Sequence, residues 1–313
     1  MRRLVGLLAI LALLGVTGAT RVSAAGGTIY EKATTLDESF VVAERLRAAG
    51  VDVALTRGDD RYVELSRRAA ASRGADLLVS IHNNGSTSRS VVGTEAYYQI
   101  GNRFGGQLAY DIVRRISAKA GTVVRGAFTR RGDNGDYYAV LRESPATAII
   151  VEGAFISNAG EARRLSTADF RRRIADGIAD ALINRLVLTP VPQGAGPPAP
   201  KSTPVGAVLP APDGLAAAFA GNHAMNLSWR AVTGATHYEV WRDGRLIAPN
   251  VGSGFTDRGL ATGRHRYEVR AVLDVAGAVV QQSNSAITEA LVPWRVIVDP
   301  GHGGRDPGAV GRW

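Results

Sequence analysis

The chain has 313 residues, enough for two domains with cores of their own, and no cysteine, which excludes disulfides, thiolate zinc sites and cysteine nucleophiles. A formal net charge of +9 and a pI near 10.2 suit an anionic partner: nucleic acid, anionic lipid or a cell-wall polymer.

Met1-Arg2-Arg3, the apolar run 4–16 and the small residues Val22-Ser23-Ala24 follow the order of a secretory signal peptide, with cleavage expected after Ala24. The apolar run is shorter than the roughly 20 residues that span a bilayer, so cleavage is favoured over anchoring. Export makes the wall the preferred anionic partner and places the protein in the wall or periplasm. Nucleic acid is not expected.

Residues 25–188 alternate helical and strand patterns. Leu36, Phe40, Ala43 and Leu46 share one helical face, and Gly50 ends that helix. Residues 51–56 read as a strand. The charged amphipathic stretch 63–72 leads to a second apolar strand, 77–81, which ends at His82. A strand over 94–99, a helix over 107–118 and a buried strand over 148–155 follow. Ser166-Thr167-Ala168-Asp169 opens a last helix with capping-box chemistry, and Phe170, Ile174, Ile178, Leu182 and Leu186 form its apolar stripe. The alternation predicts an α/β fold, a mostly parallel sheet flanked by helices, with ligands at the carboxyl ends of the strands.

Residues 189–211 carry seven prolines and no hydrophobic period, which predicts a linker over 189–209. Beyond it, β-like runs recur over 224–230, 236–242, 265–273 and 286–292, and Asp243-Gly244 is a hairpin signal. With Trp229, Tyr238-Glu239-Val240 and Tyr267-Glu268-Val269, the segment 210–292 resembles a fibronectin type III domain. That resemblance implies an all-β sandwich used for binding or spacing.

In 293–313 the β-branched run Val296-Ile297-Val298 fits a buried strand, and Asp299-Pro300-Gly301 ends it in a glycine-rich loop that holds His302. A histidine fixed at a strand's carboxyl end suits metal binding once partners exist. Glu31, His82 and Glu152 are the candidates at the same sheet edge. Glu31 stands just before the first helix, where alone it reads as a solvated acid beside the helix dipole. His82, alone, is as well suited to structure as to function. Glu152 lies inside the apolar run Ile149-Ile150-Val151-Glu152-Gly153-Ala154-Phe155, where an ionised carboxylate is costly unless paired or functional. His223, His237 and His265 read as ordinary residues of the sandwich.

Seven separated blocks carry a further resemblance. They are Asp299-Pro300-Gly301-His302-Gly303-Gly304, Glu31-Lys32, Thr56-Arg57, Ser80-Ile81-His82-Asn83-Asn84, Gly93-Thr94-Glu95, Val140-Leu141-Arg142, and the run from Val151-Glu152-Gly153 to Ile156-Ser157-Asn158. Each is similar to a block of the zinc-dependent N-acetylmuramoyl-L-alanine amidases of the amidase_3 type. Residues 30–187 and 295–311 are covered. Thr35, where the family tends to have Asn, and Ala154, where it often has Gly, depart from the pattern. The block that opens the family's domain stands last here, and Gly311-Arg312-Trp313 would run naturally into Gly26-Gly27-Thr28, so the chain resembles a circular permutant whose sheet takes its first strand from 293–313.

The resemblance implies that Glu31, His82 and His302 bind Zn2+, leaving a fourth position for water, and that Glu152 is the catalytic base. The implied substrate is peptidoglycan, cut at the amide between N-acetylmuramic acid and L-alanine, with anionic wall polymers as further partners. Two alternatives stand beside it: a non-catalytic wall-binding protein with a split, inactive amidase fold, and a broken first copy followed by the start of a second. A monomer is expected, with a strand-swapped dimer as its alternative.

Overall fold

The computed structural model describes residues 27–186 and 209–313, so the signal-type segment and the linker, apart from Leu209, lie outside the described residues. In chain order the first part comprises β1 (Thr28–Tyr30), α1 (Glu31–Ala48), β2 (Asp52–Leu55), α2 (Leu65–Ala70), β3 (Leu77–Asn84), β4 (Thr94–Tyr98) and α3 (Arg103–Ala120). It continues through β5 (Val124–Phe128), the short strands β6 (Arg131–Gly132) and β7 (Gly135–Asp136), α4 (Ala139–Glu143), β8 (Thr147–Phe155), α5 (Ala159–Leu165) and α6 (Ala168–Leu186). The second part holds β9 (Ala216–Phe219), β10 (Met225–Ser228), β11 (His237–Arg242), β12 (Arg245–Val251), β13 (Gly254–Asp257), β14 (Gly263–Val275), β15 (Ala278–Gln282) and β16 (Ala286–Val292). The chain then returns as β17 (Arg295–Pro300) and β18 (Val310–Arg312).

The six-stranded sheet runs in the order β2-β17-β3-β8-β4-β5. The first four strands are mutually parallel, β4 is antiparallel to β8, and β5 is parallel to β4, so the sheet is mixed at one edge. β17 sits between β2 and β3, with Val296 opposite both Val53 and Leu77. On one face, Leu77, Val79, Ile81, Val151, Val296 and Val298 pack with residues of α1, α3 and α6. On the other, Leu78, Ala148, Ile150 and Ile297 pack under Val140 and Leu141 of α4. Strand alternation therefore sends Ser80, His82 and Glu152 to the α4 side.

Two helices differ from the sequence expectation. α3 begins at Arg103 rather than 107, because the Asn102 side chain accepts the Gly105 N–H at 2.8 Å and caps the helix across the weak Gly105-Gly106 pair. In α1, Leu36 and Phe40 are only half-buried, and the inner face instead presents Glu31, Thr34, Thr35, Glu38 and Ser39 before Val42, Ala43 and Leu46. Glu31 itself is the first helical residue rather than a residue before the helix. The α6 stripe is buried throughout, and its cap is the Thr167 hydroxyl, which accepts the Phe170 N–H at 3.4 Å.

The second part forms two sheets, β13-β10-β9 and β12-β11-β14-β15 with β16 on β14, closed over a core that includes Trp229, Tyr238, Val240 and Tyr267. Asp243 and Gly244, both at positive φ, make the tight β11–β12 turn. Only Pro293 and Trp294 separate β16 from β17. Trp294 stacks on Phe104 of α3, and Asp76 Oδ2 accepts both the Arg295 N–H at 2.7 Å and the Thr262 hydroxyl at 2.9 Å. β18 then pairs antiparallel with β1, Thr28 opposite Arg312. Among the described residues no helix is long and apolar enough to cross a membrane.

Candidate active site

The four candidate residues meet at the carboxyl ends of β17, β3 and β8. Glu31 opens α1, and β1, which leads into it, is pinned by β18, so its backbone N–H donates to Ala309 O at 3.0 Å. Its buried carboxylate accepts the Asn83 N–H (3.0 Å) on Oε1 and the Ala309 N–H (2.8 Å) on Oε2. Oε1 lies 2.9 Å from His82 Nδ1, and Oε2 lies 3.1 Å from His302 Nε2. The solvated-acid reading of Glu31 is thereby overturned. The imidazole rings stand edge to face, 5.0 Å between centroids.

Hydrogen bonding on the far side of each ring fixes what the near side offers. The Ser80 hydroxyl donates to Asp299 Oδ2 (2.7 Å) and therefore accepts from His82 Nε2 at 3.2 Å. Asp306 Oδ2 accepts from His302 Nδ1 at 2.8 Å. A neutral imidazole has one N–H, so His82 Nδ1 and His302 Nε2 both turn lone pairs toward an acceptor-only carboxylate. Three lone-pair donors within 4.8 Å of one another need a cation between them. In the metal-free protein a proton on His302 serves: its pKa is raised to about 9, since the hydrogen bond and charge of Glu31 and the Asp306 carboxylate outweigh burial. Burial would lift Glu31, but hydrogen bonds to His302 and His82 and their charges hold it at about 2. A divalent ion satisfies the same three atoms, and a two-nitrogen, one-carboxylate set suits zinc.

The loop that presents His302 is held by two buried arginines. Arg57 donates to Pro300 O (3.1 Å), Gly301 O (2.8 Å), Lys32 O (2.8 Å) and Asp59 O (2.9 Å). Arg68, on the inner face of α2, donates to Asp299 Oδ1 (2.7 Å), Pro300 O (2.6 Å) and His302 O. These bonds keep His302 at φ +60, a conformation uncommon outside glycine. Close approach also demands glycine at two places: a Cβ on Gly301 would enter the His82 ring, and one on Gly308 would lie 2.6 Å from both Glu31 Oε2 and His302.

Glu152 is opposite His82 in the β3–β8 register and opposite Glu95 in β4. It is buried, and its Oε2 has no hydrogen-bond partner among the described residues. Burial, then the charges of Glu31 and Glu95, push its carboxyl well above the ordinary carboxylate range. Glu95 is itself tied to Arg125 Nε (2.6 Å), Asn84 Nδ2 (2.8 Å) and the Tyr97 hydroxyl (2.8 Å). A cavity of about 140 Å3 opens beside the histidines, lined among others by Tyr62, Leu65, Val140 and Asp306. The three remaining histidines have packing roles or lie apart: His223 bonds Leu260 O and His265 bonds Asp243, with His237 also in the second part.

Sequence reasoning did not find Arg68, Asp299, Ser80 or Asp306 as supports. Arg68 had a readable signal, a cation on the apolar face of an amphipathic stretch. Asp306 had none, because its bond to His302 is made within an irregular loop.

A family model described as N-acetylmuramoyl-L-alanine amidase, Amidase_3, matches residues 15–184. The chain is 33% identical over 165 residues to the N-acetylmuramoyl-L-alanine amidase LytC of Bacillus subtilis, covering 51% of this chain and 32% of LytC. It is 30% identical over 165 residues to the B. subtilis protein YqiI, covering 51% of this chain and 76% of YqiI. Among solved structures, the catalytic domain of the amidase CwlV from Bacillus (Paenibacillus) polymyxa is 34% identical, with 49% of this chain and 83% of that one covered and a TM-score of 0.44. The chain thus spans about a third of the length of LytC.

Proposed function

The chain belongs to the Amidase_3 family of N-acetylmuramoyl-L-alanine amidases, and from that membership we propose that it is a zinc-dependent peptidoglycan hydrolase, cutting the amide between N-acetylmuramic acid and the L-alanine of the peptide stem. The observation that carries the reading is the convergence of His82 Nδ1, His302 Nε2 and the Glu31 carboxylate as lone-pair donors, with Glu152 on the adjoining strand.

In this reading Glu31, His82 and His302 would hold Zn2+, which when bound would supply Lewis acidity to the scissile carbonyl and a water of pKa about 7. Asp306 and Ser80 fix the tautomers, so that each ring offers the ion its lone pair. Glu152 accepts the proton of the attacking water and returns it to the departing L-alanine nitrogen. A carboxyl raised by burial is suited to that task, because one too acidic would neither take nor return a proton near neutral pH.

We read 210–292 as a fibronectin type III-like module for binding or spacing, and 293–313 as the element that supplies the amidase part with its strand between β2 and β3, the arrangement of a circular permutant. Support comes from the two closed sheets of that module and from the register of β17. Secretion to the wall or periplasm, attraction of the net positive charge, which stays positive after loss of Arg2, Arg3 and Arg21, to anionic wall polymers, and a monomeric state belong to the same proposal. The deciding experiment measures zinc content of the purified protein and release of peptide stems from purified peptidoglycan. One equivalent of zinc with free stems supports the reading. Retention on peptidoglycan with no release of stems would favour a non-catalytic wall binder.

A further inference from the structure

The inner face of α1 carries a second carboxyl, Glu38, two turns beyond Glu31 and on the same side. It is fully buried, and no ion pair reaches it among the described residues. Both its oxygens lie 3.2 Å from Asn83 Nδ2, which also donates to Thr34 Oγ1 at 2.9 Å. Thr34 in turn donates to Glu31 O at 2.9 Å. Asn83 is therefore gripped by two residues of the helix that begins with Glu31.

The backbone explains why that grip matters. The β3–β8 ladder is in register up to His82 opposite Glu152 and is shifted before Asn84 meets Phe155. Asn83 sits in the irregularity, and its N–H turns to Glu31 Oε1. A peptide that leaves the ladder loses the restraint the sheet gives its neighbours. What remains to fix it is its side chain, held by Thr34 and Glu38. Burial pushes Glu38 well above the ordinary carboxylate range, with the Asn83 bond only partly opposing it.

We propose that Glu38 is a positioning residue for the ligand carboxylate Glu31, acting through Asn83 at the point where β3 leaves its ladder. The proposal rests on the metal reading of Glu31, His82 and His302. Glu38 does not touch the ion or the substrate. It holds the peptide whose N–H orients Oε1, and its role depends on hydrogen-bonding shape and not on charge.

The test uses the full chain, zinc affinity by competition with a chromophoric chelator, the visible absorption of the Co2+-substituted protein, and melting of the apo form. Glu38→Gln keeps an acceptor for Asn83 and is expected to bind zinc within about 3-fold of the parent, with the Co2+ spectrum unchanged. The double change Glu38→Leu with Asn83→Ala removes both polar partners, so neither is left orphaned, and the apo protein is expected to stay folded. Its zinc affinity is expected to fall by about 10- to 100-fold with an altered Co2+ spectrum, the usual effect of losing a group that orients a ligand. A folded double variant with parental zinc affinity and Co2+ spectrum overturns the proposal, as does a Glu38→Gln protein as weak as the double variant. A parent that takes up neither ion is seen before any variant is made, and it overturns the metal reading and this proposal together.

Discussion

A group that moves a proton and a group that holds an ion fail differently when removed. Glu152→Gln leaves the three donor atoms in place, so we expect full zinc content and a rate lower by about 100- to 10,000-fold, the span of a lost acid–base group. His82→Ala deletes a donor, and zinc and activity are expected to fall together. Metal analysis beside stem release checks both, and a zinc-free Glu152→Gln protein would exchange the assigned roles. Glu38 gives a pH prediction. Its native pKa is raised above the ordinary 4.5, so the folded state binds its proton more tightly than the unfolded chain does. Its contribution is intact below about 4.5 and is lost as pH climbs through the raised native value. In the metal-free protein, Glu38→Gln should match or trail the parent near pH 4 and exceed it near pH 8, as measured by urea unfolding at both. A stability difference that does not change between those two pH values would show that Glu38 is not held neutral in the native state.

The elements that carry the site were legible from the sequence, and the contacts that hold it were not. β-branched and aliphatic runs announced β3, β8 and β17; His82 at the end of the first, Glu152 as a carboxylate inside the second and the glycine-rich loop after the third announced the site. The α1 face was misjudged because periodicity counts apolar residues, while the inner face of that helix is polar over its first two turns, where Glu31, Thr34, Thr35, Glu38 and Ser39 line the candidate site and its supports. Arg68 was missed because its signal, a cation within an amphipathic stretch, reads as an ordinary solvated charge until its partner is known, and that partner, Asp299, is 231 positions away. The Arg68 and Asp299 side chains are 4% and 1% exposed, so theirs is a buried pair. Arg68→Met should cost about 3–5 kcal/mol by stranding the Asp299 carboxylate. It should also weaken zinc binding, since three anchors of the Asp299–His302 loop go with it. Asp299→Asn added to Arg68→Met should recover stability but not zinc affinity. Denaturant unfolding and chelator competition separate the two effects, and equal recovery of both would show that the arginine does not position the loop.

At the scale of the whole molecule, the candidate site is assembled from segments far apart in the sequence, Glu31 and His82 from the α/β part and His302 from the returning segment after β17. β17 enters the middle of a sheet whose other strands were made more than 130 positions earlier, and it pairs in parallel on both sides. Val296, Ile297 and Val298 bury almost completely there, so the slot between β2 and β3 cannot be left empty without exposing backbone and core together. The second part has its own closed core, and among the described residues it meets the α/β part at Pro293-Trp294 and at Asp76, which accepts from Thr262. A chain of residues 27–292 is therefore expected to keep a folded all-β part and lose the cooperative melting of the α/β part, with no zinc uptake. Adding a synthetic peptide of residues 293–313 should restore both, because the peptide brings the strand, His302 and the β18 partner of β1 in one piece. Restoration should be saturable, with one peptide per chain, and a peptide carrying His302→Ala should restore melting but not zinc. Circular dichroism melts and zinc titrations at rising peptide concentration give the answer. A 27–292 chain that melts like the parent without peptide would mean that β2 and β3 close on each other, and β17 would then be a guest in the sheet and not its centre.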